Sequence, residues 1–203
     1  IINQVIQNNN ILLKNIEIVT PEEKHKILYE FNNTKVDYPH DKTIVDLFEE
    51  QVEKTPDNIA VVFEDKQLTY KELNEKSNQL ANYLINNNIS NRAVVGLFLD
   101  KSLEVIISII ATLKVGATYL PLDIDYPQSR LDYILDNSNA KIILTTHKEK
   151  EIKSELPIIF VDYDSNMYSK NCNFKFNSNI QTSDLAYITY TSGSTGNPKG
   201  VMI

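Results

Sequence analysis

Apolar residues recur at helical spacing at Ile44, Leu47, Phe48 and Val52, leaving Glu49, Glu50 and Glu53 for the solvated side of a predicted helix. The period then shortens. Residues 59–63 are apolar and β-branched, 64–66 read as a turn, and 67–70 as a second short strand. Thr69 with Glu72 three residues on is a capping-box pattern. It opens a helix through Leu73, Leu80, Ala81 and Leu84 that Asn86, Asn87 and Asn88 bring to a stop. A strand over 93–99 and a helix over 102–115 closed by Gly116 follow, then a strand over 117–120 and a helix near 128–135. Strands over 141–145 and 158–161 come next, with 162–182 as a polar surface loop and 185–190 as a buried last strand. Asp100 and Asp125 read as helix-start residues. Near-continuous apolar strands alternating with helices predict an α/β fold, a mostly parallel sheet flanked by helices on both faces.

Upstream, Thr20, Pro21 and Glu23 supply an N-cap, a first-turn proline and a capping-box acid for a helix reaching about Phe31, where Asn32, Asn33 and Thr34 break it. Regular α/β patterning begins only at Thr43. At 203 residues and 42% hydrophobic content the chain can bury a sizeable core. A formal charge of -7 argues against a nucleic-acid or anionic-membrane surface, and no apolar run approaches the roughly 20 residues that span a bilayer. The single cysteine, Cys172, excludes an internal disulfide framework and fits a reducing, cytoplasmic compartment. His25, His40 and His147 lie too far apart for metal-ligand spacing, so no metal site is expected within these residues.

Chemistry concentrates in residues 185–203, LAYITYTSGSTGNPKGVMI, where Gly193, Gly196 and Gly200 are interleaved with Thr191, Ser192, Ser194, Thr195 and Lys199. Glycines let backbone N–H groups approach an anion, hydroxyls add donors, and a lysine brings a mobile positive charge, a combination suited to a polyphosphate. The Walker pattern fails here. Counted from Gly193, Pro198 stands where its second glycine belongs, and a proline has no N–H to offer.

The run instead resembles the phosphate loop of the adenylate-forming enzymes, in the form found in adenylation domains of non-ribosomal peptide synthetases: Leu-Ala-Tyr, two variable residues, Tyr-Thr-Ser-Gly, Ser or Thr, Thr-Gly, one variable residue, Pro-Lys-Gly. Residues 185–200 satisfy every fixed position. Residues 68–73, LTYKEL, are similar to the family's first core motif. Residues 113–123, LKVGATYLPLD, are similar to the second, with Val115 where alanine is usual and Thr118 in place of another small residue. The resemblance covers nearly the whole chain.

It implies that residues 1–19 are the tail of a condensation domain, 20–42 an inter-domain linker, and 43–203 the first part of the large N-terminal subdomain of an adenylation domain, cut after the phosphate loop. It implies a ligase that joins ATP and an amino acid into aminoacyl-AMP, releases pyrophosphate, and passes the acyl group to a phosphopantetheine thiol on a carrier domain. Thr191, Ser192, Gly193, Ser194, Thr195 and Gly196 would bind the phosphates, and Lys199 would bind them and offset their charge during catalysis. The magnesium ligand, the substrate pocket and a second catalytic lysine are expected outside these residues, so residues 1–203 alone are expected to be inactive. Adjacent condensation and carrier domains are the expected partners; which amino acid is activated, and whether a small accessory protein binds, are left open. Tyr70, Glu72, Tyr119, Pro121 and Asp123 read as structural. Alternatives are a stand-alone acyl-CoA or aryl-acid ligase, a non-catalytic docking relic, and a phosphotransferase that uses the loop differently.

Overall fold

A computed structural model describes residues 1–146, 152–162, 180–191 and 198–203. It contains two compact units, Ile1–Pro39 and His40–Ile203. In the first, α1 (Ile2–Gln7) is tied to Glu17 by a reciprocal pair of 3.0 Å hydrogen bonds from and to the Gln4 amide. The helix α2 (Pro21–His25) runs on as a π-helical turn over Lys26–Glu30. Its capping box forms as the sequence requires: the Thr20 N–H donates to Glu23 Oε2 at 2.9 Å and Thr20 Oγ1 accepts from the Glu23 N–H at 3.2 Å.

The second unit opens with α3 (Ile44–Lys54), whose Thr43–Asp46 capping box uses the shorter acid and so escapes a search for Glu or Gln. The strands β1 (Ile59–Phe63) and β2 (Lys66–Thr69) pair antiparallel, and Thr69 caps α4 (Tyr70–Asn86), with Glu72 returning to the Thr69 N–H at 2.8 Å. Tyr70 therefore begins the helix instead of ending the strand. There follow β3 (Val94–Phe98), α5 (Leu103–Lys114), β4 (Thr118–Leu122), α6 (Gln128–Asn137), β5 (Ala140–Thr145) and β6 (Ile158–Phe160). Last come β7 (Ile188–Thr191) and β8 (Lys199–Met202), paired antiparallel. Among the described residues no helix is long and apolar enough to cross a membrane.

The central sheet is parallel, in the order β4-β3-β5-β6. From β3 the chain steps outward to β4 through α5, then back past β3 to β5 through α6. Right-handed crossovers in opposite directions put their helices on opposite faces. Burial agrees. Val95, Leu97, Ile142 and Leu144 join one apolar cluster with Leu80 and Ile107, while Phe98, Leu120, Leu122 and Ile143 join a second with Leu131 and Ile134. Alternate residues of one strand thus serve two cores, which is why these strands read as continuous apolar runs.

Two helix-start expectations fail. Asp100 accepts the N–H of its neighbour Lys101 at 2.7 Å, two residues ahead of the Ser102 N-cap position of α5. Asp125 stands two residues ahead of Pro127, the N-cap position of α6. Asp100 shapes the turn before α5 rather than its first N–H groups, and before α6 it is Asp123 that accepts, from the Asp125 N–H at 2.9 Å. The surface-loop expectation falls largely on residues 163–179, outside the described residues.

Gly116 ends α5 at φ +73 and is buried, and a Cβ there would sit 2.7 Å from Asn91 Oδ1. Gly116→Ala is expected to destabilise by about 1–3 kcal/mol, read as a lower midpoint of thermal unfolding. Adding Asn91→Ala should recover only a minor part, because the left-handed backbone, not the movable side chain, sets most of the cost. Full recovery would contradict this.

The helical side of α3 also departs from its hydrophobic pattern. Glu49, expected on the solvated side, accepts from Lys114 Nζ at 2.8 Å, and the same ammonium donates to Asn74 Oδ1 at 2.8 Å. Lys114 is 1% exposed and lies over the Phe48 ring. One buried cation thereby joins α3, α4 and α5, and the lysine in LKVGATYLPLD has a structural explanation.

Candidate functional site

The glycine-rich segment is carried by the β7–β8 hairpin. Before β7, Tyr119 N–H donates to Ala186 O at 3.1 Å and Thr118 Oγ1 donates to Leu185 O at 3.2 Å. Thr118, an unusual residue in its motif, thus supplies an anchor that an alanine would not. Tyr119 and Tyr187 form a parallel bridge and stack with ring centroids 5.2 Å apart. Burial, with Tyr187 close by, pushes the Tyr119 hydroxyl above the ordinary phenol value. Because β7 follows the direction of β4, Thr191 emerges at the edge where β3, β4 and β5 also end. Open α/β sheets bind ligands at that carboxyl edge, where the strand order reverses, as it does here around β3.

Ile188 is buried in the second apolar cluster, which roots the hairpin. Beyond it the register pairs Tyr190 with Gly200 and Thr191 with Lys199. Two of the expected site residues, eight positions apart in sequence, are therefore brought opposite each other, and both are exposed. The expected binding residues Ser192, Gly193, Ser194, Thr195 and Gly196 lie outside the described residues. Lys199 opens a strand and is not part of the loop that the motif predicts. The apolar run Val201, Met202, Ile203 was the available signal, but three residues are too few to display a period.

Tyr190 Oη donates to Asn137 Oδ1 at 2.7 Å, and burial, with Tyr133 nearby, pushes this hydroxyl above the ordinary phenol value of 10.0, so it remains a donor at neutral pH. Beside the hairpin a cavity of about 470 Å³ opens at the same edge, lined by Asp100, Lys101, Asp123, Tyr126, Thr189 and Tyr190 among others. Among the described residues no group of three or more His, Cys, Asp or Glu side chains converges to hold a metal ion. The arrangement can present a hydroxyl and a cation to an anion from the fixed ends of two paired strands.

Residues 48–203 match the family described as AMP-binding enzyme. The chain belongs to the AMP-binding enzyme family. Among its relatives, gramicidin S synthase 2 of Brevibacillus brevis is 45% identical over 208 residues, covering 100% of this chain and 4% of that protein. Tyrocidine synthase 3 of Brevibacillus parabrevis is 44% identical over 204 residues, covering 100% of this chain and 3% of its own length. The chain thus spans a small fraction of these relatives. The N-terminal subdomain of Klebsiella oxytoca NpsA superposes with a TM-score of 0.69 at 28% identity, over 81% of this chain and 42% of that one. The same subdomain has been solved in complex with 3-hydroxybenzoyl-AMSN, with a TM-score of 0.68 over 80% of this chain and 41% of that one. The fold of this AMP-binding family member matches part of such an N-terminal subdomain.

Proposed function

We propose that residues 43–203 form the phosphate-gripping part of an adenylation domain in a non-ribosomal peptide synthetase, with 1–19 as a condensation-domain tail and 20–42 as the linker between them. The observation that carries this reading is the Thr191–Lys199 pair, set at the carboxyl edge of the sheet at the two ends of the adenylation-type glycine–hydroxyl run. The relatives named above, synthases of gramicidin S and of tyrocidine, support an amino acid as the acid that is activated.

In this reaction a carboxylate oxygen of the amino acid attacks the α-phosphorus of ATP, the bond to the bridging oxygen breaks, and pyrophosphate leaves with that electron pair. A phosphopantetheine thiol on a carrier domain then attacks the acyl carbon, loses its proton, and expels AMP. The protein's work is positioning and charge stabilisation. Thr191 would donate its hydroxyl to a phosphate oxygen, and the Lys199 ammonium would offset the charge gathering on the departing pyrophosphate. Ser192, Gly193, Ser194, Thr195 and Gly196 would complete the grip with hydroxyl and backbone N–H donors. Magnesium would accompany the ATP, held by a ligand outside these residues, since no cluster of described side chains fits it. A cytoplasmic setting, where ATP is supplied, and flanking condensation and carrier domains complete the proposal.

Amino-acid-dependent exchange of labelled pyrophosphate into ATP by the complete protein tests it. At least one amino acid should drive exchange well above background. Exchange driven by aryl acids alone would favour the stand-alone ligase, and none with any carboxylate would sink both readings.

A further inference from the structure

The hairpin that carries Thr191 and Lys199 is built from two four-residue strands, a size that is marginal without outside support. Its root is held by buried Ile188, but every residue of β8 is exposed, and Thr191 with it. Beyond the ladder pairing, the outer half is held by a side-chain arrangement that reaches outside the hairpin. Tyr190 lies across the hairpin from Gly200, and a Cβ on Gly200 would come within 3.1 Å of Tyr190 Cζ and 3.2 Å of its Cε2. The hydroxyl end of the ring therefore rests directly on the bare glycine backbone. From there the hydroxyl reaches Asn137 Oδ1 at 2.7 Å, across 53 residues of sequence.

Asn137 is the last residue of α6, a helix seated in the core through Leu131, Ile134 and Leu135. A rigid helix end thus holds, through one hydrogen bond, the residue adjoining Thr191 in β7 and opposite the neighbour of Lys199 in β8. We propose that Asn137 is a positioning residue for the nucleotide site: by accepting from the Tyr190 hydroxyl, seated on Gly200, it sets where Thr191 and Lys199 stand relative to the ATP phosphates. The proposal rests on the adenylation reading above and adds to it a residue distant from the motif. The role of Gly200 follows as well. A side chain there would lift the ring and draw the hydroxyl off its acceptor.

The test compares Asn137→Leu, Asn137→Asp and Tyr190→Phe in the complete protein by pyrophosphate exchange, with KM for ATP and for the amino acid measured separately. Asn137→Leu, which removes the acceptor, should raise KM for ATP about tenfold, at the upper end of what one hydrogen bond supplies, with KM for the amino acid unchanged. Tyr190→Phe should give the same split, and the double variant Asn137→Leu/Tyr190→Phe should be no worse than either single within about twofold, as expected of two residues acting through one bond. Asn137→Asp keeps an acceptor of equal reach and should restore the wild-type constants. Wild-type constants in Asn137→Leu, multiplied losses in the double variant, or an equal rise of both KM values would overturn the proposal. If the wild-type protein exchanges no pyrophosphate with any carboxylate, the adenylation reading fails by itself, and amide hydrogen exchange across β7 and β8 decides the positioning claim. Faster exchange in Asn137→Leu but not in Asn137→Asp supports it, and equal exchange in all three proteins refutes it.

Discussion

Replacing Lys199 by alanine in the complete protein is expected to slow amino-acid-dependent pyrophosphate exchange by on the order of 100-fold, with the thermal midpoint almost unmoved. The two halves of that expectation come from different observations. Lys199 is exposed at the first position of β8, and its backbone, not its side chain, holds the pairing with Thr191. Truncation therefore leaves the ladder intact and should cost little stability. The chemical loss arises because a charge placed beside the departing pyrophosphate strengthens its interaction as the transition state forms. Lys199→Arg should recover only part of the activity, since a planar guanidinium replaces a compact ammonium on a stem of different reach. Unchanged exchange in Lys199→Ala would remove this residue from the mechanism, and a loss that tracked a fall in midpoint would make its role structural.

The largest effect on stability is expected at Glu49, not at the lysine it holds. Lys114 is almost fully enclosed, whereas the Glu49 side chain keeps 34% of its exposure. Removing Glu49 leaves a cation in the interior without its counter-charge, supported by the Asn74 carbonyl oxygen and the Phe48 ring, a loss of about 3 kcal/mol. Removing the cation instead, as in Lys114→Met, leaves an apolar chain of similar length beside the Phe48 ring, and a carboxylate and a half-buried amide that lose a donor but not all access to water. That variant should fall within about 1 kcal/mol of the wild type. Hydrogen exchange of α4 and α5 amides in the complete protein reads both, and the reverse order of stabilities would refute the account.

The same site carries a pH signature. Burial pushes the Lys114 ammonium below the ordinary lysine value of 10.5, while Glu49 opposes the shift through its hydrogen bond and charge. Between the lowered folded value and 10.5 the unfolded chain binds more protons than the folded one, so stability contributed by this group rises with pH across that window. Loss of Glu49 lowers the folded value further. The deficit of Glu49→Ala relative to wild type should accordingly shrink as the pH is raised toward about 10. A deficit that grows with pH would show that the ammonium is not the source of the cost.

The sheet strands were legible because each faces two cores. Val95 and Leu97 enter one cluster and Phe98 the other, so β3 reads apolar without interruption and marks itself as a buried parallel strand. The capping boxes at Thr20 and Thr69 were equally plain, since each is a local bond between residues three apart. Local rules failed where a partner lies far away in sequence. Glu49 sits with other acids on what reads as a wet helix face, and only the folding of α5 beside α3 brings a cation to it across 65 residues.

What the sequence determined by itself was the class of fold and the family to which the glycine–hydroxyl–lysine run belongs, because hydrophobic period and motif spacing are properties of neighbours along the chain. What the tertiary structure alone decided was position: that the chain entering β7 runs parallel beside β4 and delivers Thr191 to the carboxyl edge, that Lys199 stands opposite it on a strand, and that Asn137 accepts from the ring hydroxyl beside them. Each of these depends on groups distant along the chain meeting at hydrogen-bond distance. No pattern of adjacent residues encodes such a meeting.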